Sequence, residues 1–186
     1  MRRRGTAVAL CLLGAGGAHA AEATHSGKLG IGGSQTTGGV TGVNVVYWPG
    51  PFALDFTAGL DLTFPSDGNG AVRFVLAAGA FYPLLASTGA DFSIGGRFDF
   101  GVGKVTYGPG TSPEAGLQID FEIPARLEWW VTDHFSLHAE LGLAIEIVTN
   151  TTRVFAAAGG NAQADGFGIV LPGTRVVGTG GFTFYF

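Results

Sequence analysis

Apolar and polar residues alternate along most of this chain with a period of two. In "FALDFTAGLDLTF", Phe52, Leu54, Phe56, Leu60, Leu62 and Phe64 fall on one face, and Asp55, Thr57, Gly59, Asp61 and Thr63 on the other. "LQIDFEIPARLEW" sets Leu117, Ile119, Phe121, Ile123, Leu127 and Trp129 against Gln118, Asp120, Glu122, Arg126 and Glu128. "FSLHAELGLAIEI" sets Phe135, Leu137, Leu141, Leu143, Ile145 and Ile147 against Ser136, His138, Glu140 and Glu146, and Phe92, Ile94, Phe98 and Phe100 oppose Asp91, Ser93, Arg97 and Asp99 in the same way. Successive side chains of a β-strand point to opposite faces, so this alternation predicts strands.

Counting such runs predicts eight strands, at roughly 27–34, 38–48, 52–64, 71–83, 89–107, 117–132, 135–150 and 172–186. Pro124 and Pro172 interrupt them and are expected to mark bulges, because proline cannot donate to a ladder. No internal repeat or linker divides the chain. An even number of strands joined in order can close on itself and abolish its edges. Connections alternate in length. Those at 49–51, 83–88 and 132–133 are short, whereas those at 65–70, 108–116 and from Thr151 to about Leu171 are long and more polar. The connection near 35–37 breaks the rule by being short.

The N-terminus has a different layout. "MRRRGTAVALCLLGAGGAHA" carries three arginines, an apolar stretch from about Ala7 to Leu13, and "AHA" before Ala21, the pattern of a secretory signal peptide. The expected domains are therefore a leader over 1–20, removed after Ala20, and one β domain over 21–186. The apolar run is too short to cross a bilayer as a helix. Cys11, the only cysteine, would leave with the leader, and Leu10 before it is not the small residue that a lipid-attachment site needs. Loss of Arg2, Arg3 and Arg4 would move the formal net charge from −4 to −7. An acidic chain with two lysines, Lys28 and Lys104, lacks the cations that phosphate backbones require, which argues against a nucleic-acid partner. So few lysines, with a positive mean hydropathy of +0.34, suggest that much of the surface faces something other than water.

Tyr47, Trp48, Phe52, Tyr82, Trp129, Trp130, Phe135, Tyr185 and Phe186 all lie next to the short turns, which reads as an interfacial aromatic girdle at one membrane surface. The chain closes on "GGFTFYF", with Phe182, Phe184 and Phe186 at alternate positions. In architecture it resembles the small eight-stranded outer-membrane β-barrel proteins of Gram-negative bacteria, the OmpA/OmpX-like class, most specifically in that closing strand. The resemblance implies an all-β, closed, antiparallel up-and-down transmembrane barrel with the short turns in the periplasm. It also implies that the barrel-assembly machinery recognises Phe182, Phe184 and Phe186, and that the apolar face contacts outer-membrane lipid.

Alternation alone leaves two solvents open, because a soluble lipocalin-like barrel also alternates, with its apolar face turned in around a ligand. Large apolar residues along full strand lengths favour lipid outside. The polar face then fills a narrow lumen. Parity sends Asp55, Asp61, Asp91, Asp99, Asp120, Glu122, Glu128, Glu140 and Glu146 inward with Arg73, Arg97, Arg126 and Arg175. Acids outnumber arginines, so each arginine is expected to bridge several carboxylates. This network reads as a structural plug, with a narrow cation-preferring channel as the alternative.

Catalytic chemistry has one candidate. "DHFSLHAE" supplies Asp133, His134, Ser136, His138 and Glu140. Its His-x-Ser resembles the His/Ser pair of outer-membrane lipid A deacylases, where histidine activates a serine hydroxyl. Ser136 faces the lumen by parity, and Leu137 stands where that family has Asn, so no catalytic residue is assigned. No cofactor, metal or phosphate-loop spacing is present. The loop "TTRVFAAAGGNAQADGFG", with Phe155 and Phe167, is the expected place for a surface ligand or partner, whose chemistry the residues do not specify.

Overall fold

The computed structural model describes residues 25–37, 39–63, 70–106, 114–149, 166–170 and 179–186. Within them the strands are β1 (Leu29–Gln35), β2 (Thr41–Tyr47), β3 (Ala53–Thr63), β4 (Gly70–Ala86), β5 (Ala90–Thr106), β6 (Glu114–Thr132), β7 (Phe135–Thr149), β8 (Gly166–Val170) and β9 (Thr179–Tyr185). Each pairs antiparallel with its neighbour in sequence from β1 to β7. The sheet closes because β9 pairs with both β1 and β7. β8 pairs with the far end of β7, Ala144↔Val170 to Val148↔Gly166, so β8 and β9 are two pieces of one stave. The result is a closed antiparallel barrel of eight staves.

Two expectations about the last stave are corrected here. The sequence predicts one strand from about 172, preceded by a loop reaching Leu171. Instead Gly166–Val170 is already strand, which puts Phe167 on the barrel wall opposite Ile147 rather than on a loop. Pro172 and Phe155 lie outside the described residues. Pro124 makes no bulge. It sits opposite Gly142, and the β5–β6 register is the same on either side of it, from Ile94↔Ala125 to Arg97↔Glu122. The register shifts fall elsewhere, between Pro83 and Leu85 and between Trp130 and Thr132, next to the short turns.

Burial alternates as strictly as the sequence. Phe56, Leu60, Phe74, Leu76, Phe98, Phe121, Ile123, Leu127 and Leu141 lie on the outer surface, while Asn44, Asp55, Thr57, Asp91, Asp99, Arg97 and Glu140 are buried inside. This is a water-soluble protein turned inside out, and a bilayer is the solvent that suits such a surface. Strands β4 to β7 run 15 to 19 residues, longer than the ~9–11 that span hydrocarbon.

The β1–β9 seam is tight enough to require glycine. A Cβ on Gly32 would run into the carbonyl oxygen of Phe182, whereas one on Gly96, on the outer face of β5, would meet open space. Gly32→Ala is therefore expected to destabilise the closed barrel by about 1–3 kcal/mol, and Gly96→Ala to change it by less than about 0.5 kcal/mol. Urea titration in detergent micelles, with the folded and unfolded gel bands quantified, measures both. Equal effects would mean that the seam tolerates a side chain.

Candidate functional site

The described strands converge their polar groups in the lumen, which is layered. At mid-height two arginines hold the acids. Arg97 on β5 donates through Nη1 to Glu122 (2.9 Å) and Glu140 (2.8 Å), and through Nη2 to Glu140 (2.8 Å). Arg126 on β6 donates through Nε to Glu140 (2.7 Å) and through Nη2 to Asp55 on the opposite wall. Glu140 is thus shared by both guanidinium groups. The Asn44 amide nitrogen donates to the other Asp55 oxygen (2.9 Å) and to Thr57 Oγ1 (3.1 Å). Phe81 lies beneath, its ring centroid 3.7 Å from the Arg126 guanidinium carbon and 5.2 Å from that of Arg97. Guanidinium stacks well on an aromatic face, which is one reason arginine rather than lysine suits this position.

Towards the long-loop end the lumen becomes more acidic. Asp99 accepts from Thr36 Oγ1 (2.9 Å) and stands directly across the ladder from Asp120, which accepts from Gln118 Nε2 (2.5 Å). His138, two residues nearer the short turn than Glu140 on β7, meets Ser34 of β1 at 3.0 Å. Towards the short turns, Glu128 accepts from Ser136 Oγ (2.5 Å) and Tyr185 OH (2.8 Å). The mouth itself is packed by Val46, Trp48, Ala53, Phe81, Trp130 and Tyr185. Asp91 accepts there from Trp130 Nε1 (2.8 Å) and lies 2.9 Å from His25 Nε2.

Of the residues expected in the lumen, Asp55, Asp91, Asp99, Asp120, Glu122, Glu128, Glu140, Arg97 and Arg126 are buried there, and Arg73 is half-buried. Asp61 and Glu146 lie on strands, opposite Arg73 and Asp120, but their side chains fall outside the description, as does all of Arg175. The girdle is corrected. Trp48, Trp130 and Tyr185 point into the lumen, leaving Tyr47, Phe52, Tyr82, Trp129 and Phe186 exposed outside and Phe135 partly so. Parity requires this, since Trp129 and Trp130 are adjacent and cannot share a face. Phe182 and Phe184 face outward, and Phe184 packs on Phe135 at 4.7 Å.

His25, ahead of β1, is buried (8% exposed) against Trp130. Ser136 is committed to Glu128, while His134 is exposed, with Nδ1 3.1 Å from the Tyr185 carbonyl. That geometry is not a His–Ser nucleophile pair. Among the described residues no group of acids, histidines and cysteines is disposed to hold a metal ion.

No family model and no curated protein matches this chain. It is similar to solved outer-membrane barrels. Among them are the N-terminal β-barrel domain of Pseudomonas aeruginosa OprF (14% identity, 86% of this chain and 96% of that one, TM-score 0.46), Neisserial surface protein A, NspA (13%, 85% and 89%, 0.40), and Ail, the attachment invasion locus protein of Yersinia pestis (12%, 87% and 99%, 0.44). The closed barrel of eight staves stands on the pairing of its own strands, not on these likenesses.

Arg126→Met would leave Asp55 without its cation and Glu140 with one instead of two. The expected loss is about 3–5 kcal/mol of unfolding free energy, because an uncompensated buried charge costs more than a missing pair. Adding Asp55→Asn should recover part of it. Urea midpoints of the two variants check this, and a double variant no more stable than the single would refute the pairing.

Proposed function

We propose that this chain is an integral outer-membrane β-barrel protein with a structural or surface-interaction role carried by its longer loops. The leader over 1–20 directs export and is removed, and Phe182, Phe184 and Phe186 of the last strand present the barrel to the assembly machinery. The short turns face the periplasm, and Tyr47, Phe52, Tyr82, Trp129 and Phe186 mark that interface. The observation that carries this reading is the apolar outer face, which runs round the barrel from Leu29 on β1 to Phe184 on β9 and surrounds a buried charged interior. Exposed to water, a surface of that extent would aggregate. A soluble ligand-binding barrel needs the reverse arrangement, with an apolar interior to hold its ligand.

The lumen charges serve as a plug. Arg97 and Arg126 bridge the bore at mid-height, and Phe81 with the aromatic layer beneath closes the mouth, which favours a sealed barrel over the cation-preferring channel. The long-loop segments 64–69, 107–113 and 150–165, where a surface partner would bind, lie outside the described residues.

Two measurements test this. The protein should fractionate with outer membranes and run faster on a detergent gel unheated than boiled, because a closed lipid-facing barrel resists the detergent. Recovery in the soluble fraction with no such shift would overturn the assignment. In planar bilayers the purified protein should give no resolvable conductance steps, and regular steps would replace the plug with the channel.

A further inference from the structure

The inner mouth contains a side chain that no strand supplies. His25 precedes β1 on a turn closed by Gly27 N–H to the Trp48 carbonyl (2.7 Å) and Lys28 N–H to the His25 carbonyl (3.0 Å). Gly27 has φ +84°, a conformation that suits glycine and lets the chain reverse into the opening. There the His25 ring stacks on Trp130, with centroids 4.0 Å apart and planes 15° from parallel, and meets Trp48 at 5.3 Å. Its Nε2 shares Asp91 Oδ2 with the Trp130 indole N–H. The other Asp91 oxygen accepts the Ser87 amide (3.3 Å), so the carboxylate is fixed from behind. Lys28 places its ammonium 4.9 Å from the same indole.

Flat aromatic walls around a buried, immobilised carboxylate form an arrangement that recognises cations. The ring faces offer their quadrupole, and the carboxylate takes the proton-bearing nitrogen. Every other element of the cage, Trp48, Trp130, Tyr185 and Asp91, belongs to a strand or the residue next to one. His25 alone can withdraw without breaking a ladder. We propose that the short-turn mouth is a receptor for a planar nitrogen cation, an imidazolium or guanidinium group, and that His25 is a self-supplied occupant standing in for it. The ligand class follows from the imprint. One indole lies flat against the ring, a second crosses it at 57°, and an acid holds its nitrogen. A cationic side chain presented from that side competes with His25 for the same contacts.

The test uses the full barrel refolded in detergent, with Trp129→Phe as the common background so that emission reports on Trp48 and Trp130. Methylguanidinium is the probe, and N-methylurea is its uncharged match in shape. In His25→Ala, methylguanidinium should change the fluorescence saturably at millimolar concentration. The response should be about tenfold weaker both with His25 in place and in His25→Ala/Asp91→Asn, and absent with N-methylurea. An equal response to both probes, or no loss with Asp91→Asn, would reduce the site to a plain cavity and overturn the proposal. If His25→Ala does not give the heat-shifted band, Asp91→Asn alone decides by acrylamide quenching. Greater quenching of Trp48 and Trp130 supports a detachable occupant, and unchanged quenching overturns it. The gel shift is read separately, so failure of the receptor is distinguishable from failure of the membrane assignment.

Discussion

The interior depends on one act of closure, the ladder between β1 and β9. Until Gly30 to Ser34 pair with Gly181 to Tyr185, the polar face of the sheet is an open trough, and β1 and β9 each carry a row of unpaired amides. In hydrocarbon neither is tolerable, because nothing there can replace water as a partner. Once the ladder forms, the radius is fixed by the number of staves, and a barrel of this size has a bore that side chains can fill. The positions of Arg97, Arg126 and Glu140 follow from that radius. An arginine is long enough to bridge the bore, and Arg126 on β6 reaches Asp55 on β3, three staves away.

Filling the bore with charge raises an energetic question, since burying ions costs several kcal/mol each and a well-packed apolar core would often be as stable. Here geometry limits the choice. The outer face already takes the large apolar residues, and a second apolar face on the same strands would remove the alternation that tells the sheet which way to curl round its core. The polar interior therefore fixes the handedness of burial as much as it stabilises. The sharing of Glu140 between two guanidinium groups, with Phe81 beneath both, gives each ion several partners rather than one.

Much of this was legible along the chain. Asp55, Asp91, Arg97 and Glu140 are inside because their apolar neighbours are outside, and a period of two leaves no third option. The same rule places Trp48, Trp130, Tyr185 and Phe81 inside. Reading the aromatics by chemical type, as a girdle, overrode it for the first three. The packed mouth was thus visible in parity but hidden by the habit of aromatics to sit at membrane surfaces. β8 was missed for a different reason, because "GFGIV" is short and half of its glycine-rich surroundings read as loop. The burial of His25 could not have been read at all. It depends on Asp91, 66 residues away, and on a ring stack that no local pattern encodes.

The struts across the bore join residues far apart in the chain. Asp55 and Arg126 are separated by 71 residues, and Ser34 and His138 by 104. Contacts of such long range form late, after the loops between them have been closed. A hairpin or half-sheet entering the membrane early would carry Asp55, Glu122 and Glu140 with no counter-ion in reach, at a cost that hydrocarbon makes severe. Partial structures are therefore penalised, and the finished cylinder is the first species in which the charges are at rest. The lumen network thus acts as a proofreading device during biogenesis, rejecting any intermediate that tries to settle in the bilayer before its two edges have met.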